Sequence, residues 1–498
     1  MGNGPGGDPG VAHPRGGRGD VRVQAARQRT PGPCRRDLLT RERRRPNRAR
    51  GFCEGVGIDS KHDPRYPTAA VTAKWVTHRD VATAYSYLRP GGTPADRDRI
   101  AAPVHPGLVF AGEATSRDHP GTMHGAWFSG ERAARRLCET RAPDRVAVVG
   151  AGLAGLAAAR ALQDAGVEVV VLEAASVPGG RVRTDRSLGG PVHLGAAWIH
   201  GDVGNPVADL ARRLGARFSR SRWLGTVPFV IGAGPLREDL RAWLRAARAE
   251  VWRTVEEAAA SGDVHAALGP VVRDALRTIA AGRPPSERLL LERAVIGIYE
   301  SLYAAPVDDL SLVHSEEPFR MPGDDLTVNL PLDTVVDRLC DGVPLRLSTR
   351  VHAIERRDGG WRVHAWSASV DADAVVVTVP IGVLHRGGIT FDPPLPHDVV
   401  ASMQRIGAGL VTKAFFAFDE DFWSPLWSFT TVGSPRPLLE LWVDASELAG
   451  MPVLCAFATG ENARVVESMP MSALREVAHR TLADAGVGSE GSAPRRAT

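Results

Sequence analysis

The sequence predicts an α/β protein in which a Rossmann-like dinucleotide-binding domain is joined to a second domain of helices and mixed sheet. Three observations predict it. Gly150-Ala-Gly152-Leu-Ala-Gly155 lies between the apolar run Arg145–Val149 and the alanine-rich stretch Gly155–Ala165. A second apolar run, Val167–Leu172, ends at Glu173, eighteen residues after Gly155. Further on, residues 236–304 carry a helical apolar period (Leu240, Trp243, Leu244, Ala247, Val251), and residues 345–379 read as short strands.

A chain of 498 residues is long enough for two or three domains with real cores. Its 43% hydrophobic and 24% charged residues exclude a fibrous protein. No run of eighteen apolar residues occurs, so no membrane helix is expected. The five cysteines stand alone, with no C-x-x-C, which excludes a disulfide scaffold and a zinc ribbon, and no metal is expected. Their sparse, odd number suits a reducing compartment, so the expected location is cytoplasmic.

The net charge of +4 is uneven. Residues 1–50 hold thirteen Arg and no Lys against four acids, a net of +9, which leaves the other 448 residues at −5. The mildly acidic body is expected to suit cationic substrates. Residues 1–65, rich in Gly, Pro and Arg without helical or strand period, read as a disordered basic tail. Nucleic acid is an unlikely partner on the strength of that tail alone. Lysine occurs only at Lys61, Lys74 and Lys413, so each retained lysine draws notice.

The glycine motif has a physical reading. Gly150 permits the tight turn, Gly152 lets backbone approach a pyrophosphate, and Gly155 lets helix and strand pack closely. The helix N-terminus faces the phosphates. Glu173 is placed to accept hydrogen bonds from both ribose hydroxyls, which disfavours a 2′-phosphate. Gly179-Gly180-Arg181 follows six residues after Glu173 and offers more backbone N–H groups and a bidentate cation to the same pyrophosphate. Further along the chain, Gly359-Gly360 reads as a hairpin turn between Val351–Arg356 and Trp361–Ala365, Val375–Val379 as a buried strand, and Leu410–Phe418 as an apolar run interrupted by Lys413.

With Gly179-Gly180-Arg181 in place, the sequence resembles the flavin-containing amine oxidase family: polyamine oxidases, monoamine oxidases and flavin-dependent histone demethylases. The likeness continues through Gly195-Ala-Ala-Trp198-Ile-His200-Gly201, Asn205-Pro206, Val377-Thr-Val-Pro380 and Phe391-Asp-Pro-Pro394-Leu-Pro396. One block is out of place. Phe110-Ala-Gly112-Glu113-Ala-Thr115 and Gly121-Thr122-Met123-His124-Gly125-Ala126 resemble the family's C-terminal flavin motif, with Trp75 and Tyr85-Ser86 as the stretch before it. Here they precede the dinucleotide motif, so the chain resembles a circularly permuted member. A rearranged or misassembled gene is the competing reading of that order.

The resemblance implies noncovalent FAD, because Ala84 stands where monoamine oxidases carry a flavin-linked cysteine. It implies oxidation of a primary or secondary amine, polyamines among them, with hydride transfer to flavin N5 and reoxidation by O2 to peroxide. It assigns the catalytic neighbourhood to Lys413, His200, Tyr85 and Thr122: Lys413 to a water at the flavin, His200 to the substrate amine, Tyr85 and Thr122 to facing walls of an amine cage. It assigns cofactor contacts to Gly150, Gly152, Gly155, Glu173, Gly180, Arg181, Val351, Glu113 and Met123, with Glu113 on the ribityl chain, Met123 backbone at the pyrimidine edge and Val351 backbone near adenine. His78, Thr83 and Asn329-Leu330-Pro331 depart from the family's usual residues. The expected domains are a flavin domain from 66–220 and 320–395, and a substrate domain from 221–319 and 396–486, with 487–498 a tail. An L-amino-acid oxidase of the same superfamily is the alternative activity, and a non-enzymatic product of a rearranged gene the alternative outside enzymes. The oligomeric state is open.

Overall fold

Short runs of valine and alanine pair into a five-stranded parallel sheet in the computed structural model, which describes residues 63–221, 226–315 and 321–489. The strand order is Leu345–Arg346, Glu168–Leu172, Arg145–Val149, Ala374–Val377 and Leu108–Phe110. Side chains alternate between the faces of the pleat. Val146, Val148, Val169, Val171 and Val376 enter one core. Ala147, Val149, Val170, Leu172, Val375 and Val377 enter the other. Both faces are covered, as all-parallel sheets require, which is why these strands read as continuous apolar runs.

On the first face, the helix Met123–Arg141 lies against the helix Leu153–Asp164. Gly130 sets the approach: a Cβ there would sit 2.1 Å from the Ala154 carbonyl oxygen. On the other face a mixed sheet runs in the order Ser369–Ala372, Gly360–Ala365, Val351–Arg357, Thr390–Asp392, the last pair parallel. The expected hairpin is there, with Gly359 in the turn at φ +86° and Gly360 opening the next strand.

A seven-stranded mixed sheet runs in the order Ala69–Thr72, Val411–Ala417, Val453–Thr459, Leu441–Asp444, Ser428–Val432, Val227–Val230, Gly234–Pro235. Three helices, Glu238–Ser261, Leu268–Ile279 and Pro285–Tyr303, pack on one another around Val251, Val272, Leu291, Val295 and Tyr299. No described helix is long and apolar enough to cross a membrane.

Two boundaries differ from the sequence expectation. Ala69–Thr72, grouped there with the flavin domain, pairs antiparallel with Ala414–Ala417 of the other sheet. A four-residue edge strand carries no local signal of its partner, so only the tertiary pairing places it. Val487, placed in the expected tail, is fully buried beside Leu482 and Ala485. The chain is already ordered at Asp63, which pairs with Arg65 at 2.8 Å and with His479 at 3.1 Å. The basic stretch 1–62 and the last residues, 490–498, lie outside the described residues.

Candidate active site

Parallel strands leave a crevice at their C-terminal ends, and here it opens into a cavity of about 1000 Å³ that reaches the seven-stranded sheet. The glycine turn forms one end of it. Gly150 has φ +107° and its N–H donates to the Leu172 carbonyl at 2.8 Å, fixing the turn. A Cβ on Gly155 would lie 1.9 Å from the Gly150 oxygen, so only glycine lets the helix start this close. A Cβ on Gly152 would meet nothing within 4 Å and would project into the cavity. Gly179 N–H donates to the Ala151 carbonyl at 2.8 Å, and Gly180 backs on Gly152, where a Cβ would come 3.4 Å from its Cα.

Glu173 is nearly buried at the same end. It accepts from the backbone N–H of Ala151 at 2.7 Å and of Ala175 at 2.8 Å. The Thr349 N–H donates to its carbonyl at 2.7 Å, which brings the strand beginning at Val351 alongside. Gly150, Gly152, Glu173, Gly180 and Val351 all line the cavity. The open space at Gly152, the bare helix N-terminus and the fixed acid form a cradle that fits a dinucleotide.

Glu113 and Arg181, read separately as cofactor contacts, are partners of each other. The Arg181 Nη1 donates to Glu113 Oε1 at 2.9 Å and to the Ala84 carbonyl at 2.7 Å. The second oxygen of Glu113 accepts from Ser86 Oγ at 2.6 Å and from the Gly121 N–H at 2.9 Å. Burial works to raise the Glu113 carboxyl, but Arg181, Ser86 and Arg97 outweigh it and hold it below the usual carboxylate range. The pair ties together the segments around residues 84–86, 113, 121 and 181, all of which line the cavity.

Thr122 caps the helix Met123–Arg141. Its hydroxyl accepts from the Gly125 N–H at 2.9 Å and donates to the His119 carbonyl at 2.9 Å. Both its donor and acceptor are thus engaged locally, and its contribution to the wall is its backbone and methyl group. Met123 opens the helix against the cavity, with the positive end of the helix dipole behind it.

Lys413 is buried in the middle of the cavity wall. Its strand has neighbours on both sides, Ala69–Thr72 and Val453–Thr459, so it is not on an edge. The Nζ donates to the Gly195 carbonyl at 2.6 Å and stands 4.7 Å over the Trp198 ring. Burial lowers its pKa to about 8. Tyr85 lines the cavity too, its hydroxyl donating to the Ser301 carbonyl at 2.7 Å. Burial raises that phenol, so it stays a donor. His200 faces the cavity with Nδ1 3.3 Å from Asp325 Oδ1.

Some supporting residues escaped the sequence reading. His193 is buried beneath Lys413, and burial followed by the lysine's charge pushes it down to about 3. It therefore stays neutral and accepts from the Leu332 N–H at 3.2 Å. Glu467, nearly fully buried, accepts from the backbone N–H groups of Trp75, Val76 and Thr77 at 2.9, 3.0 and 2.8 Å and anchors that wall. The departures from the family also have places: His78 lines the cavity, and Thr83 is buried with its hydroxyl on the Gly409 carbonyl at 3.2 Å. The mildly acidic body does not extend to the cavity, whose lining includes Arg241, Arg245, Arg248 and Arg293.

The family model described as flavin containing amine oxidoreductase matches residues 53–138 and 153–498. The chain is 31% identical over 345 residues to lysine-specific histone demethylase 1 homolog 1 of Oryza sativa subsp. japonica, a match covering 64% of this chain and 40% of that protein. It is 29% identical over 348 residues to polyamine oxidase 2 of Arabidopsis thaliana, covering 66% of this chain and 70% of that one. The chain therefore spans less than half the length of the demethylase homologue. Among solved structures, putrescine oxidase bound to putrescine is similar in fold, with a TM-score of 0.52 at 21% identity over 71% of this chain and 83% of that one.

Proposed function

We propose that this chain, which belongs to the flavin-containing amine oxidoreductase family, binds FAD noncovalently in the cavity and oxidises the C–N bond of a primary or secondary amine there. The observation that carries the reading is Lys413, a buried amine with its pKa near 8, in the wall of the same cavity that ends in the Gly150–Gly155 turn and Glu173. A structural lysine has no need of that position, since burying an ammonium is costly.

In this reading the N–H groups around Gly152 and Gly180 hold the pyrophosphate, Glu173 the adenosine ribose, and Val351 backbone the adenine. The Glu113–Arg181 pair braces the flavin's surroundings, with a Glu113 oxygen turned to the ribityl chain, and Met123 backbone meets the pyrimidine edge. FAD bound there supplies the hydride acceptor, which O2 returns to the oxidised state. Lys413 holds a water beside the reacting centre and, when neutral, takes up a proton from it. Tyr85 and Thr122 line the approach of the amine, and His200 lies beside the substrate nitrogen. Relatives are named for polyamine oxidation and for histone lysine demethylation, and oxidation at C–N is the step assigned here. Flavin retained on purification, with amine-dependent peroxide release, supports the reading. Colourless protein that takes up no added FAD contradicts it.

We also propose that the chain is circularly permuted relative to its family. Leu108–Phe110 and Met123–Arg141 complete a sheet and a helix layer built by later residues. Asp63 and His479 in contact at 3.1 Å put the first described residue beside the last helix, as a closed chain order requires.

A further inference from the structure

The cavity wall changes character along two helices. On Glu238–Ser261, Arg241, Arg245 and Arg248 recur at helical spacing on the cavity side, with Leu244 between them. On Pro285–Tyr303, Arg293, Gly297 and Ser301 form the facing stripe, flanked by Ala294 and Ile298. Ser301 holds the Tyr85 hydroxyl at 2.7 Å. Arg293 lies two turns away, about 12 Å along the helix at ~1.5 Å per residue. The wall therefore runs from Tyr85, over small and apolar residues, to guanidinium groups.

Those guanidinium groups are short of carboxylates. Arg245 donates to Glu238 at 2.9 Å, and Arg241 pairs with the same carboxylate. Glu440, a cavity-lining acid, is taken by Arg436, which also pairs with Glu300 at 2.6 Å. Among the described residues neither Arg248 nor Arg293 has an ion pair, and the Arg293 Nε is buried without a hydrogen-bond partner. Burial and the neighbouring Arg245 both lower the Arg248 pKa, the mark of a cation without a counter-charge.

Building on the amine-oxidation reading above, we infer that the cavity takes an amine carrying a second, anionic group, a carboxylate or a phosphate, which Arg248 and Arg293 hold at the end away from Tyr85. An apolar spacer crosses Ala294, Gly297 and Ile298. Both guanidinium groups supply forked donors to such an anion. A diamine or longer polycation instead places its distal ammonium against four arginines, a like-charge contact.

The test uses the flavin-loaded protein and two sets of probes. Alkyl carboxylates and alkyl phosphates of increasing length, which lack an amine, are titrated by calorimetry. Saturable binding that weakens about 10-fold or more in Arg248→Met and in Arg293→Met, with flavin content intact, is the expected result. The tighter of the two probes names the anion. Binding unchanged in both variants, or no binding of either probe, overturns the inference. In the second arm, amino carboxylates are compared with diamines of equal length as reductants of the flavin. Preference for the amino carboxylate, reduced in the two variants, supports it, and preference for the diamine overturns it. If no amine reduces the flavin while the anions still bind through Arg248 and Arg293, the anion site stands and the oxidase reading fails.

Discussion

The Lys413 Nζ donates a 2.6 Å hydrogen bond to the Gly195 carbonyl, and that contact joins the seven-stranded sheet to the segment after Arg181 at the wall of one cavity. Lys413 comes from the seven-stranded sheet, on the strand next to its Ala69–Thr72 edge. Gly195 belongs to the segment after Arg181, close-packed enough that a Cβ on it would sit 1.8 Å from the Arg181 carbonyl oxygen. The position of the amine is thus set by glycine backbone on one side and by a strand hydrogen-bonded on both edges on the other.

Replacing Lys413 by Met should leave flavin bound and slow amine-dependent flavin reduction by about 100-fold, the scale of one lost acid–base group. The parent's reduction rate should rise as pH passes about 8, where Lys413 becomes neutral, and the variant should lose that inflection. Stopped-flow reduction across pH checks both.

The same group makes a stability prediction. Its pKa is about 8 folded against 10.5 for an ordinary lysine, so between those values the unfolded chain binds the extra proton. Stability from this group therefore rises with pH across that window, by about 3 kcal/mol at most. Urea unfolding of parent and Lys413→Met at pH 7 and above 10 should show that increment only in the parent.

Glu113 and Arg181 form a largely buried pair, and removing one partner strands the other's charge. Arg181→Met is expected to destabilise the protein by about 3 kcal/mol or more and to lower flavin retention. The Glu113 carboxyl sits below its usual range, so its contribution is present at neutral pH and fades as pH falls below the ordinary carboxylate value. Thermal unfolding at pH 7 and pH 4 measures the difference, which should shrink at the lower pH.

The glycines should separate folding from cofactor binding. Gly152→Val points into open cavity and should yield folded protein without flavin. Gly155→Val collides with the Gly150 carbonyl and should lose both. Circular dichroism and the visible absorbance of each purified variant distinguish the two.

A chain opened between Arg141 and Ala142, with a flexible linker joining residue 489 to residue 63, should fold and retain flavin, since Asp63 already contacts His479. Insoluble protein from that rearranged gene would contradict the proposed permutation.

Much of this was legible in the sequence where the signal is local. The βαβ unit appeared because buried parallel strands leave continuous valine runs and the turn leaves glycines, and the structure begins the helix at Leu153 rather than Gly155 because Gly152 is its cap. Partnerships between distant residues were not legible. Glu113 and Arg181 each read as a cofactor contact, yet sixty-eight residues apart they pair with each other. Thr122 read as a cage wall, while its hydroxyl is spent on a helix cap. The arginines of Glu238–Ser261 were hidden by a chain that uses Arg almost everywhere, and only the folded cavity shows which of them lack a carboxylate.

The most direct test of the central claim is the visible absorption spectrum of the purified protein before and after anaerobic addition of amines. The spectrum should be that of a flavin, bleaching with an amine and recovering when air is admitted. A flavin spectrum unchanged by every amine, anionic or cationic, would contradict it.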